Sequence, residues 1–247
     1  FIVTVSDFIN HQINSIIPNK NIHVIPNGYD HEIIDSAEQV KQNSEIFSIA
    51  LAGSIYKWNP IYSFLSVISK FTYNNPNKNI HVNFYGINIR EEIQSKIKTE
   101  FPNIESNISI YNKMNYKDLI KELAKNNLML LFNYYSYLGT KIYDYIGIKR
   151  SILMCYSNDP KSIKLKKVHY NVQEISGISE KLQEDLIKKI NAGYIAKNEN
   201  DLYEIIHQLY DEFTNRNFIE CKSINSNEFS RKHQVKKLID IINKSCL

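Results

Sequence analysis

Two short stretches hold the residues best suited to chemistry. One is Gly53-Ser54-Ile55-Tyr56-Lys57-Trp58. The other is Gly139-Thr140-Lys141, with Asp144 three residues further on. Each follows a short apolar run. A glycine lets the backbone approach a ligand closely, a helix start offers free N–H groups, and a lysine adds charge. Two such turns around one crevice would suit a diphosphate. The alternative for Lys57 and Lys141 is that both are ordinary solvated lysines. Asp144 lies one helical turn after Lys141 and has two readings. It is either an i, i+3 ion-pair partner worth a few tenths of a kcal/mol or a carboxylate that accepts from vicinal hydroxyls, as acids do on riboses. Trp58, the only tryptophan, is either a core residue or a wall of the ligand pocket.

The surrounding elements must position these turns. Phe47 to Ala52 and Leu128 to Phe132 read as strands. Ile61, Phe64, Leu65, Ile68 and Phe71 recur at helical spacing behind Pro60, which suits a first turn. Ile80–Tyr85 is a strand ending at Gly86. Residues 90–100 form a charged helix, and Ile108–Tyr111 is a further strand. Asn115 caps a helix whose buried stripe is Tyr116, Leu119, Ile120 and Leu123. Ser151–Cys155 is the strand after the Lys141 turn. From residue 46 to 155 strands and helices thus alternate with short connections. That pattern predicts an α/β, Rossmann-like parallel sheet with helices on both faces.

The flanks read less clearly. Residues 1–6 form a strand, and Ser6-Asp7 starts a helix carrying Phe8, Ile9, Ile13, Ile16 and Ile17. A short IHVI strand leads to the Pro26-Asn27-Gly28 turn. Residues 31–45 read as a polar linker. Lys161, Lys164, Lys166 and Lys167 cluster near a possible strand, with a solvated face or contact with anionic lipid as their two readings. A charged helix follows at about 179–191. Gly193–Ala196 is a strand, the next helix carries Leu202, Ile205, Ile206 and Leu209, and residues 214–227 are a polar break. The last helix has Val235, Leu238, Ile239 and Ile242 on one face.

Composition limits the function classes. The 247 residues are 43% hydrophobic, enough for one large core or two small ones. A net charge of +4, dominated by lysine without an arginine-rich stripe, does not suggest a nucleic-acid surface. Three widely spaced cysteines, Cys155, Cys221 and Cys246, make neither a zinc pattern nor a disulfide framework. Cys155 falls inside a strand and reads as core. No apolar run reaches the ~18 residues of a spanning helix. The chain has no G-x-G-x-x-G, Walker, H-E-x-x-H or G-x-S-x-G motif. It opens on a strand without a methionine, which reads as a piece cut from a longer protein.

Taken in order, these stretches resemble the carboxyl-terminal half of GT-B glycosyltransferases of the large group-one family that uses nucleotide-activated sugars. VSDFINHQI resembles the last strand and helix of the family's amino-terminal domain. NIHVIPNGYD resembles its interdomain segment. IALAGSIYKWNP resembles the glycine turn of the donor domain, and HVNFYG the strand ending in glycine. ISIYNKMNYKDLIKELAKNNLMLL resembles the strand, loop and helix before the nucleotide site. GTKIYDYIGIKRSILM resembles the G-x-K-x-x-E-Y signature, and EFSRKHQVKKLIDII the closing helix. The implied organisation is residues 1–30 as the end of an acceptor domain plus interdomain segment, 31–227 as the nucleotide-sugar-binding domain, and 228–247 as the closing helix.

The resemblance also implies roles. Lys57 and Lys141 would bind the donor diphosphate and act in catalysis. Gly53, Ser54, Trp58, Gly86, Lys113, Met114, Gly139, Thr140, Asp144 and Tyr145 would complete the donor site, with Lys113 and Met114 beside the base and Asp144 on the ribose. Positive groups rather than a metal or another cofactor would meet the departing diphosphate. Two departures stand out. Ser136 occupies the position of the family's first acid, and Asp144 is one carbon shorter than the usual Glu. Residues 156–192 resemble nothing in particular. The expected activity is transfer of a hexose, with retention, from a nucleotide sugar to a glycan or lipid-linked acceptor in cell-surface polysaccharide synthesis. Its expected setting is cytoplasmic, with peripheral contact at the inner membrane face and no nucleic-acid partner. The piece alone would be inactive, because transfer needs both domains around the crevice. The alternatives are a GT-B nucleotide-sugar epimerase and a non-catalytic nucleotide-sugar-binding domain.

Overall fold

The computed structural model describes residues 1–170 and 178–245. A two-stranded parallel sheet comes first, from β1 (Ile2–Thr4) and β2 (Ile22–Val24), joined by α1 (Asp7–Ile16). Ser6 caps α1 by accepting from the Ile9 N–H at 3.3 Å. After α2 (His31–Asp35) the main sheet is built by β3 (Phe47–Ala52), α3 (Ile61–Asn74), β4 (Ile80–Tyr85), α4 (Arg90–Glu100), β5 (Ile108–Tyr111), α5 (Tyr116–Ala124), β6 (Leu128–Phe132), α6 (Lys141–Gly147) and β7 (Ser151–Cys155). Then follow α7 (Pro160–Tyr170), α8 (Leu182–Lys189), β8 (Gly193–Ala196), α9 (Glu199–Arg216) and α10 (Arg231–Ser245). The six strands lie in the order β5-β4-β3-β6-β7-β8, and all pair in parallel.

Strand alternation splits the core in two. Phe47, Ile49 and Leu51 of β3 and Leu128, Leu130 and Phe132 of β6 pack under α3, α4 and α9. Ala50 and Ala52, with Met129 and Leu131, pack under α2, α5, α6 and α8. The small side chains of β3 on this second face leave room for α6, which carries Lys141 and Asp144.

Five sequence-based expectations change. The lysine-rich segment at 160–170 is a helix, not a strand, and Lys166 is buried within it. Residues 31–45 are not a free linker, because they contain α2 and bury Ile34 and Ala37. Gln42 bonds both the N–H and the C=O of Ile219, at 2.9 and 2.8 Å, so the polar break at 214–227 is also held. The stripe on α10 is open, with Val235 53%, Ile239 49% and Ile242 41% exposed. The α10 side that packs is instead the one bearing Gln234, which donates to the Glu228 carbonyl at 2.6 Å. Likewise α1 buries only Phe8, since two three-residue strands cannot cover a ten-residue helix. Cys155 is a buried core residue, and burial pushes its thiol pKa up. Cys246 lies outside the described residues.

Candidate functional site

The chain runs from β3 outward to β4 and β5, then returns to β6 on the other side of β3. Ligands of open α/β sheets sit outside the strand carboxyl ends at such a reversal. Here the β3–β6 pairing covers only Ile49–Leu128 and Ala50–Met129, so the strands part beyond it. The Ala52 N–H, left without a β6 partner, donates to Tyr145 Oη at 3.2 Å. Tyr145 is 1% exposed and joins α6 to the seam. Above it lies a cavity of about 250 Å³ lined by Ser54, Gly139, Thr140, Lys141 and Tyr145, among others.

Lys141 lies across this seam. Its Nζ is 3.4 Å from the Ser54 carbonyl, to which it donates. Gly53 has φ +81, and a Cβ there would stand 2.7 Å from Lys141 Cε and 2.8 Å from Nζ. The turn therefore needs glycine both for its left-handed backbone and for the lysine's approach. Burial pulls the Lys141 amine down to about 8, and nearby Asp144 only partly offsets this. An amine held short of compensating charge is a receptor for an anion.

Asp144 turns the other way. It accepts from Tyr116 Oη at 2.5 Å and lines a second cavity, of about 510 Å³, with Gly28, Tyr116, Thr140, Arg231 and Gln234. Burial raises its pKa, opposed by the Tyr116 hydrogen bond and by Arg231 and Lys141, while Asp30 pushes with burial. Arg231 also pairs with Asp30 at 3.2 Å and reaches the Gly28 carbonyl at 3.3 Å. Lys141 and Asp144 thus diverge from α6 instead of pairing with each other, and Thr140 borders both cavities.

Lys57 does not join Lys141 in one crevice. The Asn59 side chain accepts from the Tyr56 N–H at 2.7 Å, and the Asn59 N–H donates to the Tyr56 carbonyl at 2.9 Å. This closes a tight turn with an exposed Lys57 inside it. Lys57 and Trp58 line a neighbouring cavity of about 940 Å³. Tyr56 and Asn59 border both spaces. Trp58 is 3% exposed and stacks on Tyr56, so it is both core and wall.

The remaining candidates are spread along the same edge. Lys113 is exposed in the loop after β5, and its Cα would stand 3.3 Å from a Cβ on Gly86. Met114 packs against the second core. The same loop leads into Tyr116. Ser136 is buried in the loop between β6 and α6. Three contributors were not singled out from sequence. Tyr116 looked like part of a buried stripe, and Arg231 fell within the stretch resembling the closing helix. Gln183 lay in a stretch without resemblance. Its Oε1 accepts from the Tyr134 N–H at 2.7 Å, and its Nε2 donates to the Leu138 carbonyl at 2.8 Å. One buried amide thereby clamps both ends of residues 134–138, which lead into Gly139. Gln183→Ala should leave the half-buried Tyr134 N–H without its partner and loosen this loop. The expected result is a loss of about 2 kcal/mol in denaturant unfolding, with faster proteolysis near 134–138.

Searches of protein-family models and of curated proteins gave no match to the sequence. Solved structures do match. The chain is similar to S. aureus TarM, in complex with fondaparinux, α-GlcNAc-glycerol and UDP, at 15% identity and TM-score 0.62, covering 98% of this chain and 43% of TarM. It is similar to Anabaena HepE, in complex with UDP-glucose, at 12% identity and TM-score 0.62, covering 99% and 64%. It is also similar to a UDP-N-acetylglucosamine 2-epimerase from Listeria monocytogenes at 10% identity and TM-score 0.56, covering 95% and 57%. The chain thus spans about half the length of the structures it matches. With its six-stranded parallel sheet and helices on both faces, it has the Rossmann-like fold of GT-B glycosyltransferases.

Proposed function

We propose that this chain is the nucleotide-sugar-binding part of a glycosyltransferase. It would transfer a sugar from a nucleotide-diphosphate sugar to a glycan or lipid-linked acceptor. The observation that carries this reading is Lys141, a half-buried amine set against the Gly53 turn where the strand order reverses between β3 and β6. Lys141 meets the diphosphate, with Gly53, Ser54, Gly139 and Thr140 offering backbone groups beside it. Asp144, already oriented by Tyr116, accepts from the ribose hydroxyls. Gly86, Lys113 and Met114 border the base. Tyr145 holds α6 against β3, and Lys57 and Trp58 stand on the rim shared through Tyr56. As the glycosidic bond breaks, negative charge grows on the leaving diphosphate, and a fixed amine stabilises it most there. The sugar leaves with retention. The pathway is cell-surface polysaccharide synthesis. The setting is cytoplasmic, with α7 touching the inner membrane face through Lys161, Lys164 and the 75% exposed Val168.

Calorimetry with UDP-, GDP- and dTDP-sugars tests the reading. One nucleotide class should bind with a Kd of about 100 µM or tighter. A folded protein that binds none of them would refute it. The epimerase relative in the same fold supports a second reading. Incubating the full-length protein with donor, with and without acceptor, separates the two, since an epimerase changes the sugar without an acceptor.

A further inference from the structure

The cavity of about 940 Å³ beside the nucleotide pocket has a wall chemistry of its own. It opens where Tyr156 follows β7, Lys197 follows β8, and α3 and α9 begin. Tyr56 stacks on Trp58 with ring centroids 4.8 Å apart and planes 5° from parallel. One face of Tyr56 is taken in this way, yet the residue is 43% exposed and borders this cavity as well as the smaller one. Behind it His169 lies 4.8 Å from Trp58 and fixes the platform. The Trp58 indole N–H is buried and meets no acceptor among the described residues.

Around the platform stand three carboxylates, Glu92, Asp159 and Glu199, and three ammonium groups, Lys57, Lys161 and Lys197. The charges of the wall therefore balance, which favours a neutral ligand over a phosphate or sulfate. Glu92 accepts from the Tyr62 hydroxyl, and Glu199 Oε1 accepts from Ser63 Oγ at 2.6 Å. Each has a second oxygen free to accept from a ligand hydroxyl. A flat aromatic face beside fixed acceptors and donors matches a pyranose, whose C–H face packs on the ring while its edge hydroxyls bond outward.

We propose that this cavity is a carbohydrate site for a neutral pyranose chain, separate from the nucleotide pocket. The site rests on its own wall. Its use, to hold a glycan next to the donor, rests on the glycosyltransferase reading above. Trp58 is the only tryptophan, so its fluorescence reports on this cavity directly. The protein, with saturating UDP present, is titrated with maltotriose, cellotriose and chitotriose. At least one should give a saturable change with a Kd of about 1 mM. Tyr56→Ala should abolish it. The double variant Glu92→Gln, Glu199→Gln should weaken it about tenfold while its calorimetric UDP binding stays unchanged. No saturable change with any trisaccharide would overturn the proposal. So would a change that appears only when UDP is left out, or that neither variant alters. If the UDP-, GDP- and dTDP-sugars all fail to bind but a trisaccharide still does, the nucleotide reading fails and the carbohydrate site stands.

Discussion

Replacing Lys141 by alanine is expected to weaken nucleotide-diphosphate binding by about a hundredfold, close to 2.7 kcal/mol, in calorimetry at pH 7. The amine is held by Gly53 and the Ser54 carbonyl, so little order is lost when it meets a phosphate. Lys57 differs. It is exposed in the Tyr56–Asn59 turn and faces the neighbouring cavity, so Lys57→Ala should cost less than about tenfold. Equal losses would refute the phosphate role of Lys141. A pH signature belongs to Lys141 as well. Burial places its pKa at about 8, below the ordinary 10.5. Above pH 8 the free protein holds a neutral amine, and a bound diphosphate restores the charge. Binding then takes up a proton, and affinity should fall by up to about tenfold per pH unit above 8. For folding the sign is opposite. Between pH 8 and 10.5 the unfolded chain holds the proton that the folded chain has released, so this group's contribution to stability rises with pH across that window. Lys141→Ala should remove both dependences.

Much of this site was legible because it depends on short-range pattern. Strand-to-helix turns announce themselves by a glycine behind an apolar run, so Gly53, Gly139, Lys141 and Asp144 could be placed from the chain alone. Their division could not. Nothing local to Lys57 says that Asn59 will close the turn beneath it and direct it into a different cavity. Tyr116, Gln183 and Arg231 act on residues 28, 49 and 45, and 203 positions away respectively. Such contacts leave no spacing to read. The error at 160–170 has a related cause. A helix that buries Lys166 against the rings of Tyr134 and Tyr137, with Nζ 3.8 and 4.7 Å from their centroids, has no apolar stripe to reveal it. The same holds for residues 31–45, whose attachment to the sheet is made by amides, which on hydropathy alone read as solvent-loving.

That attachment makes the second large prediction. Asn127→Ala should destabilise the protein by about 3–4 kcal/mol, a fall of roughly 10 °C in Tm for a chain of this size. Asn127, 0% exposed at the entry of β6, accepts through Oδ1 from the Ser48 N–H at 2.8 Å and the Ser48 hydroxyl at 3.0 Å. Through Nδ2 it donates to Gln42 Oε1 and to the Asn43 carbonyl, both at 3.0 Å. Gln42 in turn holds Ile219. One side chain therefore joins β3, β6, the segment before β3 and the segment after α9. Truncation leaves the buried Ser48 N–H and the half-buried Asn43 carbonyl without their partners, takes away the acceptor of the Ser48 hydroxyl, which keeps only the bond it accepts from the residue 127 N–H, and opens a void at the seam. The cost is that of several unmet groups rather than one lost bond. Gln42→Ala should cost less, about 1.5 kcal/mol, because Gln42 is half-buried and water can replace it. The double variant should lose less than the sum, since both singles break the Gln42–Asn127 contact. A loss below about 1 kcal/mol for Asn127→Ala would mean that the segment before β3 is seated by Ile34 and Ala37 alone, and that the amides merely follow their packing.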